Sequence, residues 1–151
     1  MLLKDNCVAH MHGVAEYMAE HASDRDLDKY EMFFIGYTHD IGRICPFKDH
    51  ADFSSTLIGN YHYTQIIKYH SLTPYEYMNL SRVNEYAVPP ELILLWEADL
   101  SVDSTGKLCG YDARLKDIES RYGKDSKEYV DSELTVKWLL ERGFGKRVIE
   151  D

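Results

Sequence analysis

Residues 30–44, YEMFFIGYTHDIGRI, carry an apolar pattern straight into an adjacent imidazole and carboxylate, His39-Asp40. Tyr30, Phe33, Phe34, Tyr37 and Ile41 recur at spacings of three and four, the repeat of one helix face. Asp26 or Asp28 stands where an N-cap belongs, and Gly42 with Pro46 beyond it marks the stop. Working outward, Val8, Met11, Ala15, Met18 and Ala22 repeat in the same way and predict an amphipathic helix over roughly 6–22. Residues 50–58 and 63–69 read as two short helices around Gly59-Asn60. The tyrosine-rich segment 71–88, containing Pro74, reads as a short helix plus a loop. Pro90 suits the first turn of a helix through ELILLWEADLSV. Helices over 111–122 and 127–142 complete the set, punctuated by Gly123, Gly143 and Gly145. No strand-like alternation occurs. The expectation is an all-α fold, a single-domain helical bundle over residues 1–151 with two C-terminal helices.

Composition sets the outer bounds. A chain of 151 residues, 44% hydrophobic and 13% aromatic, is long enough to bury a real core. No apolar run approaches the ~20 residues a membrane helix needs, and MLLKDNC lacks the apolar core of a signal peptide. The expected setting is therefore cytoplasmic and away from membranes. Cys7, Cys45 and Cys109 form no CxxC pair, which points to buried thiols and not to a disulfide framework. With 17 basic against 26 acidic residues and a net charge of −9, long nucleic acid is excluded as a partner. A small phosphorylated partner remains compatible if bound cations offset the local repulsion.

The seven histidines narrow the chemistry further. His10 and His12, two apart on one helix, point ~200° away from each other, so only one of them can face a given ion. His39 and Asp40 are ~100° apart and can both reach one ion at a helix end. Asp99 follows the apolar run ILLWEA, where an unpaired charge is costly. Four such N/O ligands from three helices suit a divalent ion with open coordination positions. Asp103, one turn later, either reaches the same cleft or lies solvated at a helix end. STGK at 104–107 lacks the spacing of a phosphate-binding loop and follows no strand.

The ordered set His10…Val14-Ala15, HDIGR at 39–43 and EADLSVD at 97–103 resembles the HD-domain superfamily of metal-dependent phosphohydrolases. The resemblance covers roughly residues 7–105. It implies an α-helical bundle with a metal held by His10, His39, Asp40 and Asp99. Dinuclear members add two histidines; HADFSSTLI and IIKYHS resemble the segments that supply them, which implies His50 and His70 on a second ion bridged through Asp40. Ser54-Ser55 replaces the usual Gly-Ala, and the features of the cyclic-di-nucleotide branch are absent after His70, which disfavours a cyclic-di-GMP phosphodiesterase. Arg43 stands where many members carry lysine; it keeps the charge and adds a two-pronged phosphate contact.

The activity so implied is hydrolysis of a small phosphoester, such as a nucleotide, with one or two ions of Fe, Mn, Co, Ni or Zn. Asp40 would hold the reacting water and Arg43, with Lys48, the phosphate; His50 or His70 would serve as proton donor if only one ion binds. Two alternatives use the same residues: a di-iron oxygenase of the superfamily, and a non-catalytic module that senses a nucleotide. A purely structural metal is disfavoured, because no cysteine takes part. His12, His21 and His62 are expected to be ordinary surface or structural residues.

Overall fold

Local sequence signals account for most helix starts in the computed structural model, which describes residues 5–44, 50–51, 54 and 59–149. Seven α-helices are found among them: α1 Asp5–Ala22, α2 Lys29–Thr38, α3 Tyr61–Tyr69, α4 Pro74–Ser81, α5 Pro90–Asp99, α6 Tyr111–Tyr122 and α7 Lys127–Glu141. Asp28 caps α2 by accepting from the Tyr30 and Glu31 amides, and Asn60 and Ser126 do the same for α3 and α7. Thr73 and Glu76 form a reciprocal capping box on α4, with Pro74 in its first turn. His50, Ala51 and Ser54 are helical, while the rest of the expected 50–58 helix lies outside the described residues. Among the described residues there is no strand, only an isolated bridge between Val102 and Leu108. The all-α, single-domain bundle is what the periodicity predicted.

Helix α5 runs through the middle. Leu92, Leu94, Leu95, Trp96, Glu97 and Ala98 are all buried, as expected of a helix apolar on every side. Val14 and Met18 from α1, Met32 and Ile35 from α2, Ile67 from α3 and Trp138 and Leu139 from α7 pack around it. Helices α1 and α2 approach most closely at Gly36, where a Cβ would stand 2.7 Å from Ala15 Cα. That contact sets the phase of α2 and corrects the expected stripe. Tyr30, Phe34 and Tyr37 are 75%, 42% and 39% exposed, whereas Met32, Ile35 and Gly36 are buried. Cys7 and Cys109 are half-buried, not fully buried as expected, and Cys45 lies outside the described residues. No helix among the described residues is long and apolar enough to cross a membrane.

Candidate metal centre

Helix α2 ends at Thr38, earlier than the Gly42 stop read from the sequence, and His39 and Asp40 leave it in a turn before a 3-10 segment, Ile41–Ile44. His39 is fully buried and Asp40 is 4% exposed. Around them the chain gathers two groups of ligand atoms, each within 4.8 Å of one another: His10, His39, Asp40 and Asp99, and Asp40, His50 and His70. All six residues expected to hold metal are therefore brought together, from five separate parts of the chain.

Asp40 belongs to both groups and divides its oxygens between them. Its Oδ2 lies 3.3 Å from His39 Nε2, and its Oδ1 lies 3.2 Å from His50 Nε2 and 3.5 Å from His70 Nε2. On the other side, Asp99 Oδ1 is 2.7 Å from His10 Nε2 and 3.4 Å from His39 Nε2. The rings form a chain, with centroids 5.6 Å apart for His10–His39, 5.1 Å for His39–His70 and 5.2 Å for His50–His70.

Three of the imidazoles are aimed by backbone carbonyls, two of them from the preceding helical turn and one from the turn after α5. The Nδ1–H of His39 donates to Gly36 O, that of His70 to Ile67 O and that of His10 to Asp103 O, at 2.6, 2.5 and 3.0 Å. Each bond fixes the tautomer and turns Nε2 inward, as carbonyls behind metal-bound histidines do. His39 Nε2 and His70 Nε2 are buried and face carboxylate oxygens only at 3.3–3.5 Å, without a well-aligned hydrogen bond, and a cation at the centre would answer both. The donor set fits a borderline divalent ion, since it is nitrogen and carboxylate oxygen without sulfur.

Without metal, protons take the place of that cation. Burial alone would depress the pKa of His39, but the charge and hydrogen bonding of Asp40, with Asp99 adding to them, push it up to about 10. Burial would raise Asp99, yet its contacts with His10 and His39 hold its carboxyl well below the usual carboxylate range. The raised His39 value stabilises the metal-free fold fully below the ordinary 6.5, and that contribution is lost as pH rises through about 10. A metal must displace this proton. Metal affinity is therefore expected to rise about tenfold per pH unit through the neutral range, with close to one proton released at the His10–Asp99 cluster. Isothermal titration of metal-stripped protein in buffers of different ionisation enthalpy measures it. An affinity flat between about pH 6 and pH 8 would contradict the assignment.

Two close approaches hold the centre in shape. A Cβ on Gly42 would meet His50 O at 2.2 Å and Ser54 N at 2.5 Å, and the Gly42 amide donates to Ser54 Oγ at 2.6 Å. Gly42 thus serves as the contact that seats His50 beside Asp40, and not as a helix stop. Ser54, the departure from Gly-Ala in the sequence, is the buried acceptor that completes it. On the far side, a Cβ on Gly13 would stand 2.5 Å from Gly106 O. That contact presses the 103–107 turn onto α1 and delivers Asp103 O to His10. The Asp103 carboxylate accepts instead from the amides of Thr105 and Lys107 and from the Thr105 hydroxyl, so STGK is a turn and not a phosphate cradle.

The remaining expectations divide. His12 pairs with Glu16 at 2.6 Å and packs edge-on against Phe33 and Tyr37, away from the centre. His62 pairs with Glu91 at 2.5 Å, and the Nδ1–H of His21 donates to Tyr17 O at 2.8 Å. The side chain of Arg43, and the whole of Lys48, lie outside the described residues. One contributor was not anticipated. Arg114 on α6 donates from Nε to Asp99 O at 3.0 Å and brings Nη2 within 3.8 Å of Asp99 Oδ1. Nothing in DARLKD distinguishes it from a solvated helix residue. No family model, curated protein or solved structure matches this chain.

Proposed function

We propose that this protein is a metal-dependent phosphohydrolase of the HD type, acting on a small phosphorylated substrate such as a nucleotide in the cytoplasm. The observation that supports this most is the division of Asp40 between two histidine-bearing groups. A carboxylate shared in this way would let Asp40 contact two ions at once, as in paired-metal hydrolytic sites. When bound, such ions lower the pKa of water and polarise a phosphoryl oxygen. His10, His39 and Asp99 hold one side of the centre and His50 and His70 the other, with Asp40 common to both. If only the His10–Asp99 group is filled, His50 or His70, both beside Asp40, would serve as proton donor. Arg43, adjacent to the centre in sequence, is assigned to the substrate phosphate together with Lys48, offsetting the net charge of −9.

The test is turnover of a panel of phosphomonoesters, nucleotides and dinucleoside polyphosphates by stripped protein reloaded with Mn, Co or Fe. At least one substrate is expected to be hydrolysed, and His39→Ala to abolish that turnover while His12→Ala leaves it nearly intact. Uniform inactivity with metal demonstrably loaded would defeat the proposal. A visible absorption band with dioxygen consumption in the iron form would mark the oxygenase instead.

A further inference from the structure

Helix α5 carries two carboxylates near its C-terminal end, and each has an arginine beside it. Glu97 is 1% exposed; its two oxygens accept from Arg25 Nη2 at 2.7 and 2.8 Å, and Tyr17 Oη donates to it at 2.7 Å. That is a closed ion pair in which each charge answers the other. Asp99 is treated differently. Arg114 gives its Nε–H to the main-chain oxygen of Asp99 at 3.0 Å and stops with Nη2 3.8 Å from Oδ1, too far for a hydrogen bond. Its Nη1 turns away to Asp117 Oδ2 at 3.1 Å, and Asp117 Oδ1 lies 3.5 Å from Arg121 Nε. The guanidinium thus fixes the end of α5 and stands as a permanent charge near the carboxylate without bonding to it. Asp99 Oδ1 keeps its hydrogen bond for His10 Nε2 at 2.7 Å, within the four-residue group.

Arg114 is itself held by the last third of the chain. Its amide donates to Gly110 O early in α6, and the Cys109 amide just before donates to Ser101 O at 2.8 Å, tying the approach to α6 to the end of α5. The Tyr111 and Asp112 amides donate to Lys146 O and Arg147 O. A Cβ on Gly110 would stand 2.1 Å from Arg147 O, and the buried Tyr111 donates its hydroxyl to Phe144 O at 2.9 Å. The Arg114 side chain is left 13% exposed, so one of the longest side chains is ordered in the folded chain and not at the moment of metal binding.

We propose that Arg114 is a positioning residue for metal binding, holding Asp99 where its carboxylate meets His10 and His39, with α6 and residues 143–148 as the brace that delivers it. The proposal rests on the assignment of the centre to metal. An arginine that merely paired with Asp99 would grip the carboxylate oxygens, as Arg25 does those of Glu97, and would compete with an ion for the same lone pairs. Arg114 grips the main chain instead, which orients the carboxylate and leaves it able to coordinate. Groups that orient metal ligands in this way account for about ten- to a hundredfold in metal affinity.

The experiment uses the full chain in a His50→Ala, His70→Ala background, which keeps the group of His10, His39, Asp40 and Asp99. Cobalt is titrated into the stripped protein against a chelator, and the visible cobalt spectrum is recorded. Arg114→Ala is expected to weaken cobalt binding about ten- to a hundredfold and to change the visible band. Arg114→Lys keeps a cation but loses the fork that reaches Asp99 and Asp117 together, and should weaken binding by a smaller factor. Leu115→Ala removes a buried apolar contact from the same helix, and should lower the melting temperature with the affinity of the folded protein unchanged. Either Arg114 variant binding cobalt as tightly as the background, or Leu115→Ala weakening it as much as Arg114→Ala, would overturn the proposal and leave the metal centre standing. A background protein that takes up no cobalt would overturn the metal centre and the proposal with it.

Discussion

Asp40→Ala is expected to remove metal from both halves of the centre, because Asp40 is the residue that the two groups share among those described. Metal analysis of the parent protein should give two equivalents, the Asp40→Ala protein close to none, and a His50→Ala, His70→Ala double variant one. Ligand binding to the folded state alone stabilises it by about 4 kcal/mol at a thousandfold excess over the dissociation constant. Chelation should therefore lower the melting temperature of the parent markedly and that of Asp40→Ala hardly at all. His12→Ala serves as the control, since its imidazole is half-exposed and paired with Glu16. A parent that saturates at one equivalent would reassign His50 and His70 to proton transfer or phosphate contact. A stripped parent that takes up no metal would remove the centre altogether.

Arg25→Ala is expected to cost about 3–5 kcal/mol, although Arg25 is not one of the residues of the His/Asp centre. Its removal would leave Glu97, at 1% exposure, with Tyr17 as the remaining partner for a buried carboxylate. The loss arises from the stranded charge and not from the intrinsic strength of the pair. Replacing both partners by apolar residues, Arg25→Met with Glu97→Leu, should recover most of the stability. Urea unfolding of the two proteins decides it. A single variant that loses less than about 1 kcal/mol would show Glu97 to be solvated or protonated at little cost. The pair also bears on Tyr17, whose hydroxyl is held protonated well beyond its ordinary range by burial and by the Glu97 charge.

The apolar pattern in 30–44 predicts a helix but reads its phase wrongly. Tyr30, Phe34 and Tyr37 make one helical stripe, and Met32, Ile35, Gly36 and His39 make another in the same residues. Hydrophobicity favours the aromatics, yet backbone approach decides. A Cβ on Gly36 would stand 2.7 Å from Ala15 Cα, so only glycine lets α2 lie this close to α1, and that face turns inward with His39 beside it. The aromatic face is left outside, with Phe34 against Tyr63. A glycine contributes nothing to a hydrophobicity count, which is why this contact is invisible there. Glu97 was open to the same reasoning as Asp99, being a carboxylate in an apolar run, and the sequence held that signal.

What the sequence by itself determined is local: helical periods, the caps at Asp28, Asn60, Thr73 and Ser126, and the residue types able to hold a divalent ion. Those properties depend on neighbours within a turn or two of the chain. The tertiary structure alone decided which oxygens of Asp40 face which histidines and which partner answers Glu97. It also decided that the carbonyl of Asp103, and not its carboxylate, serves His10. His10 and Asp99 meet across 89 residues, and such a meeting is set by how helices pack, at glycines 13, 36 and 42 above all. Packing is a balance of close backbone contacts summed over the whole bundle, and no single segment carries that sum.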